Sequence, residues 1–191
     1  MGIRDRIIAA CRELAKTHGF SGFTVDELAQ RAGVSKRTLY KYFRSKDEIV
    51  EATIDQFTAT MGGHFDRLLA SDKTPSEALM EIITILFQQS QFITQSRGLS
   101  DLRQYYPHLW AKIDAFRMKR IQSMVKLLIE KSDDPGVRSL NPLVISTVIV
   151  ASIQAVLNPE FILSNNLVFE DVVRQVSQLY WPVIAPAAQK R

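Results

Sequence analysis

TVDELAQRAGVSKRTLYKYFRSKDEI, residues 24–49, starts three helices in twenty-six residues. Thr24 and Glu27 form a capping box in which hydroxyl and carboxylate satisfy orphan backbone amides reciprocally, and Ala32 and Gly33 close the helix so begun. Ser35 is placed to cap a second helix. Ser45 with Glu48 is another capping box, so the chain stops after Phe43 and restarts. Upstream, Ile3, Ile7, Cys11, Leu14 and His18 mark the stripe of a first helix that ends at Gly19. Two short helices separated by three or four residues and framed by longer ones are a helix-turn-helix.

At about 100° per residue, Leu39 and Phe43 fall on one side of the second short helix, with Val34 beside them. Arg37, Thr38, Lys41 and Tyr42 fall on the other. The apolar side docks, and the free side offers two cations, a hydroxyl and a phenol. A major groove about 12 Å wide admits one such helix and gives those groups base edges and phosphates to bind. Lys46 opens the following helix, where a cation is unfavourable for the helix dipole, and a phosphate nearby relieves that.

Charge supports the same partner. Residues 1–50 hold ten Lys or Arg against six Asp or Glu, whereas residues 51–191 hold fourteen of each, so the whole excess of +4 is N-terminal. From Arg31 to Lys46 there are six cations and no acid, a density suited to a polyanion such as double-stranded DNA or to an anionic membrane surface.

The block from Thr24 to Ile49 resembles the DNA-binding signature of the TetR family of bacterial transcriptional regulators. The Gly-Val-Ser turn, the Thr-Leu-Tyr-x-Tyr-Phe helix and the Ser-Lys restart occur together, in order. The resemblance covers roughly the first 50 residues. It implies that Lys36, Arg37 and Thr38 lie at groove-reading positions and that Tyr40, Tyr42 and Lys46 match phosphate-contacting ones, Tyr42 also being within reach of a base. Thr24 then caps its helix beside a phosphate, and Ser35 and Lys41 complete the DNA-facing set. The chain opens directly in its first helix, so only Arg4 and Arg6 stand where some relatives extend a basic arm. The resemblance favours repression over activation.

The remaining residues read as helices too, since period-3.6 patterns recur and no convincing alternation appears. Thr74, Pro75 and Glu77 open a helix through about Ile93. Pro107 opens another towards Lys131, with Trp110, Ile113, Ile121, Met124, Val125 and Leu128 at helical spacing, followed by a loop of Asp133, Asp134, Pro135 and Gly136. Asn141 and Pro142 start a helix without charge that Asn158 and Pro159 end. Phe169, Val172, Val173, Val176, Leu179, Tyr180 and Val183 form the stripe of a last one.

The expected architecture is all-α with about nine helices: a three-helix helix-turn-helix domain over residues 1–45 and a helical effector-binding and dimerisation domain over 46–191. The uncharged helix is apolar on nearly every side, which in a soluble protein calls for burial against more than one partner. Pairing with the last helix, and with the same pair from a second chain, makes a four-helix homodimer interface of the kind the resemblance implies. Its members are Val148, Ser152, Val156, Val172, Val176, Leu179, Tyr180 and Val183; a buried core helix in a monomer is the alternative.

An effector pocket for a small, largely apolar or aromatic molecule is expected from Met61, His64, Phe65, Phe87, Phe116 and the mixed polar and aromatic run Arg103, Tyr106, His108 and Trp110. Phe92, Leu68, Leu69 and Tyr105 are further large side chains in the same segments. Gly62 and Gly63 interrupt the helix that leaves the DNA-binding head and are candidates for a hinge.

Other classes fit less well. No basic and apolar leader opens the sequence and no uncharged apolar run reaches the roughly 18 residues of a membrane span, so a cytoplasmic protein is expected. An enzyme needs a nucleophile, an acid–base pair or a metal cluster, and the chain offers His18, His64 and His108, widely separated, with one cysteine, Cys11, placed as a small hydrophobe. No catalytic residue, cofactor or metal is expected. A helical adaptor or membrane-surface protein accounts for basic charge, but not for a capped helix with its cations and tyrosine on one free face.

Overall fold

The computed structural model describes residues 1–73, 75–130 and 135–184, the side chains of Pro75, Ser76, Ala78, Leu79, Leu128 and residues 181–184 excepted. Regular structure among them is helical throughout: α1 (Ile3–His18), α2 (Val25–Ala32), α3 (Lys36–Tyr42), α4 (Lys46–Leu69), α5 (Pro75–Thr94), α6 (Ser96–Gln104), α7 (Pro107–Glu130), α8 (Pro135–Arg138), α9 (Pro142–Val156), α10 (Pro159–Ser164) and α11 (Phe169–Ile184). The architecture is the expected all-α one, with short helices added to the count. Pro135 and Gly136, expected in a loop, begin α8; Thr74, Lys131, Asp133 and Asp134 lie outside the described residues. No helix among the described residues is long and apolar enough to cross a membrane.

Local chemistry places the N-terminal helices. Thr24 Oγ1 accepts from Glu27 N at 3.2 Å while Thr24 N donates to the Glu27 carboxylate at 2.7 Å, the expected capping box. Those bonds from Thr24 hold the Glu27 carboxyl below its usual range. Thr38 N donates to Ser35 Oγ at 3.0 Å, and Glu48 N to Ser45 Oγ at 3.1 Å. The Glu48 carboxylate reaches one residue further back than a standard box, to Arg44 N. Gly33 sits at φ +64, a left-handed conformation that favours glycine, and a Cβ there would fall 2.6 Å from Arg6 Nη2 and displace that guanidinium.

The chain forms two compact units, one of residues 1–61 with 88–113, the other of 62–87 with 114 onward; α4, α5 and α7 each contribute to both. The division expected after residue 45 marks the end of the helix-turn-helix. The unit that contains it is larger, because its core is completed by residues far along the chain. Phe20 meets Phe92 edge-on at 6.1 Å and Tyr106 at 6.2 Å, and Phe92 meets Phe57 at 5.6 Å. Arg12 of α1 donates to the Gln89 side chain at 2.9 Å and lies over the Phe92 ring. Tyr106 Oη donates to Asp47 at 2.8 Å, and Lys112 pairs with Glu51 and Asp55, so successive turns of α4 are tied to the start of α7. Cys11 is fully buried here, which pushes its thiol up to about 11 and keeps it a neutral hydrophobe.

In the second unit, Phe65 and Met124 pack together with Leu69 and Ile82 against them. Arg120 lies over both the Phe65 and Phe116 rings and pairs with Asp66. The α9 helix packs on α10 and α11. Asn158, expected only to end a helix, caps α10 by accepting from Phe161 N at 2.8 Å, with Pro159 at its first position.

Gly62 and Gly63 lie within continuous helix, and the boundary between the units falls at Gly62. A Cβ at Gly62 would come 3.1 Å from Arg120 Nη2, whereas one at Gly63 meets nothing within 4 Å. Gly63→Ala is therefore expected to stabilise the protein by about 0.5–1 kcal/mol, through helix propensity alone, read as a higher urea midpoint with an unchanged slope.

Candidate nucleic-acid interface

The α3 helix is seated by Leu39 and Phe43, which are 0% and 2% exposed, as the wheel predicts. Its other side stands clear: Arg37 and Lys41 are exposed and make no ion pair with any described residue, and Tyr40 and Tyr42 are 47% and 43% exposed. Thr38 is half-buried, its hydroxyl bonded to Ser35 Oγ at 2.8 Å, so two of the residues expected to face DNA share one hydrogen bond. Two phenols and two unpaired guanidinium and ammonium groups around an anchored short helix form a surface ready to accept phosphates and base edges.

The structure sorts the remaining cations differently. Lys36 pairs with Asp26 across to α2 at 3.0 Å, and that hydrogen bond and charge raise its ammonium above the usual range. Arg31 pairs with Glu13 of α1 at 2.9 Å. Lys46 turns inward: its ammonium donates to Phe23 O at 2.5 Å and Ser21 O at 3.3 Å and lies 4.2 Å from the Phe23 ring centroid. Desolvation lowers its pKa. The Thr24 hydroxyl is engaged in its capping box. Arg4 lies over Phe43, and Arg6 donates to Ala32 O at 2.6 Å and Gly33 O at 2.8 Å, capping the end of α2. Both arginines thus have work within the head.

The expected pocket residues divide between the two units. His64, Phe65, Phe87 and Phe116 belong to the second; among them Phe65 and Phe116 are brought together by Arg120, while His64 bonds Arg67 at 2.9 Å and Phe87 is half-buried. Met61, Arg103, Tyr106, His108 and Trp110 belong to the first. Met61 and Tyr106 are buried there, Tyr106 with its hydroxyl committed to Asp47 and its pKa raised by desolvation and that bond. His108 is exposed beside the Tyr106 ring, Arg103 is exposed and Trp110 half-buried.

On α9, Ser146, Ile149 and Ile153 face inward and Leu143, Val144 and Val148 outward at 73%, 55% and 54% exposure. Of the expected interface set, Val148 and Leu179 (69%) are exposed, and Ser152, Val156, Val176 and Tyr180 half-buried, with Ser152 bonded to Tyr180. Val172 is 6% exposed and packs within its own protomer. The side chain of Val183 lies outside the described residues. Sequence reading passed over Leu143 and Val144, whose exposure depends on which face of an all-apolar helix α10 and α11 cover.

Among the described residues no three His, Cys, Asp or Glu side chains gather as a metal ion would require. Residues 7–53 match the model of a family described as bacterial regulatory proteins, tetR family. The chain is 31% identical over 176 residues, 90% of each chain, to an uncharacterised HTH-type transcriptional regulator, YvaF, of Bacillus subtilis strain 168. It is 30% identical over 118 residues to the HTH-type transcriptional regulator BetI of Brucella anthropi, covering 62% of this chain and 59% of that one. The fold matches that of the fatty acid degradation regulator FadR from Bacillus halodurans at a TM-score of 0.62 and 20% identity, over all of this chain and 98% of that one.

Proposed function

The chain belongs to the TetR family of bacterial regulatory proteins, DNA-binding transcriptional regulators, and we propose that it acts as a homodimeric repressor released from a palindromic operator by a small, largely apolar or aromatic effector. The observation that carries the DNA-binding part is the free face of α3, where Arg37, Lys41, Tyr40 and Tyr42 are exposed around an anchored Leu39. Homodimerisation is supported by the outward apolar row Leu143, Val144 and Val148 of α9, with Leu179 of α11 exposed as well. Two copies would set two α3 helices about 34 Å apart, matching successive major grooves. The effector class is supported by the aromatic and aliphatic surroundings of Arg120 in the second unit. Such an effector releases DNA only by favouring the form that does not bind it. The protein acts in the cytoplasm, where its operator lies, and performs no catalytic step.

Two substitutions separate reading from anchoring. Arg37→Ala is expected to relax base preference, with about 1–3 kcal/mol lost against the preferred duplex and little against a scrambled one. Lys41→Ala is expected to weaken all duplexes alike and to flatten the dependence of log K on log salt by about 0.9. Gel retardation across a salt series measures both. Equal affinity of the unmodified protein for every duplex would refute sequence reading by α3.

A further inference from the structure

The last turn of α9 is held to α7 by an ion pair that is largely withdrawn from solvent. Asp114 and Arg117, three residues apart on α7, pair with each other, their side chains 23% and 16% exposed. Each also crosses to α9. Gln154 Nε2 donates to Asp114 Oδ2 at 3.1 Å, and Arg117 Nη2 donates to Leu157 O at 3.0 Å. Leu157 is the C-cap of α9, where a cation suits the helix dipole. Asn158 Nδ2 donates to the neighbouring carbonyls of Gln154 and Ala155 at 2.9 and 3.1 Å. Desolvation lowers the Arg117 pKa and the Asp114 charge opposes that, so the guanidinium depends on its partner.

Along the rest of α9 little is directional. Inward, Ile149 and Ile153 are apolar and Ser146 bonds Leu143 O of its own helix. Outward, an exposed stripe runs through Val144, Val148, Ala151 and Ala155 at helical spacing. Apolar burial follows area and tolerates a change of register, whereas a hydrogen-bonded ion pair is satisfied in one register alone. Ser152 to Tyr180 is a second polar tie, made to α11. Gln154 is exposed beside the stripe, so the pair on α7 reaches the edge of the face that the homodimer reading gives to a second copy.

We propose that Asp114 and Arg117 are positioning residues for dimerisation, fixing the register and rotation of α9 and thereby the apolar face it offers to a second copy of this chain. Without the pair, α9 stays buried on its inward side but turns or slides against α7. The face it presents changes, and with it the separation of the two α3 helices in the dimer.

The proposal rests on the homodimer reading, and sedimentation of the full-length protein over a concentration series keeps the two apart. The variants are Asp114→Leu/Arg117→Met, which puts apolar groups in place of the pair, and Asp114→Asn, which keeps the shape and removes the charge. The duplex probe is the one that the unmodified protein recovers from a random pool, with a copy lengthened by one base pair at its centre. The double variant is expected to keep its helical spectrum and urea midpoint, because well-packed apolar groups replace a buried ion pair at little cost. Its dimer dissociation constant should rise about tenfold, and the preference for the original spacing, about tenfold in the unmodified protein, should fall below about threefold. Unchanged dissociation and unchanged spacing preference in both variants would overturn the proposal and leave the dimer standing. Weaker dimers in step with a lower urea midpoint, with the spacing preference intact, would make the pair a stabilising contact and overturn it as well. Should the double variant lose its helical spectrum, Asp114→Asn decides by the same spacing preference; should no duplex be recovered, the dissociation constant set beside the urea midpoint decides. An unmodified protein that sediments as a monomer at every concentration would overturn the homodimer reading and the proposal with it.

Discussion

Phe92→Ala should destabilise the DNA-binding unit by about 3–5 kcal/mol, although Phe92 lies far along the chain from the helix-turn-helix. The ring is 0% exposed, meets the edges of Phe20 and Phe57, and carries the Arg12 guanidinium on its face. Truncation removes the buried area and leaves a void between α1, α4 and α5 that a rigid interior fills only in part. Urea unfolding followed by circular dichroism measures the loss, and retardation of the selected duplex should weaken in parallel as the temperature rises. A loss below about 1 kcal/mol would mean that the head is stable without α5, and that the larger unit is not cooperative.

Val148→Asp should leave the protomer folded and break the dimer. The side chain is 54% exposed in the protomer, so a carboxylate there costs the monomer little. Facing its own copy across a two-fold axis, the same carboxylate would be desolvated and set against a like charge. Sedimentation should give a monomer with an unchanged helical spectrum. Affinity for a palindromic duplex should fall by roughly 10²–10⁴-fold as two linked binding events become one. A dimer that survives Val148→Asp would place the interface elsewhere than on α9.

The parts of this fold that are local chemistry were readable from the chain. Thr24 with Glu27, Ser35, Ser45 with Glu48, and Asn141 before Pro142 announce helix starts because the bonds they make lie within three or four residues. The α10 helix was missed for a related reason: Asn158 and Pro159 are equally a stop and a start, and sequence alone does not choose. The α6 helix offers no signal, since Gln95 makes no side-chain cap and Gly98 sits inside it. Its glycine is required by packing, where a Cβ would come 2.7 Å from Phe92 O.

The interface followed the same division. That Arg37 and Lys41 stand opposite Leu39 is fixed by helical geometry, and both are exposed, with no ion pair to a described residue. Where Lys36 and Lys46 direct their ammonium groups depends on Asp26 and on the turn carbonyls, ten and more residues away. Asp101 and Ser21 are 80 residues apart and belong to no motif, so their bond was invisible until the chain was folded. The burial of Tyr106 was equally hidden, since its ring packs on Phe20 and its hydroxyl bonds Asp47, both far from it along the chain.

The account stands on two α3 helices of a dimer reading one duplex, and selection from a random duplex pool tests that most directly. The enriched sequences should be palindromes whose half-sites lie one helical turn or a multiple apart, about 34–36 Å per turn, each duplex binding an even number of chains. Enrichment of a single asymmetric site bound by one chain, or no enrichment at all, would contradict it.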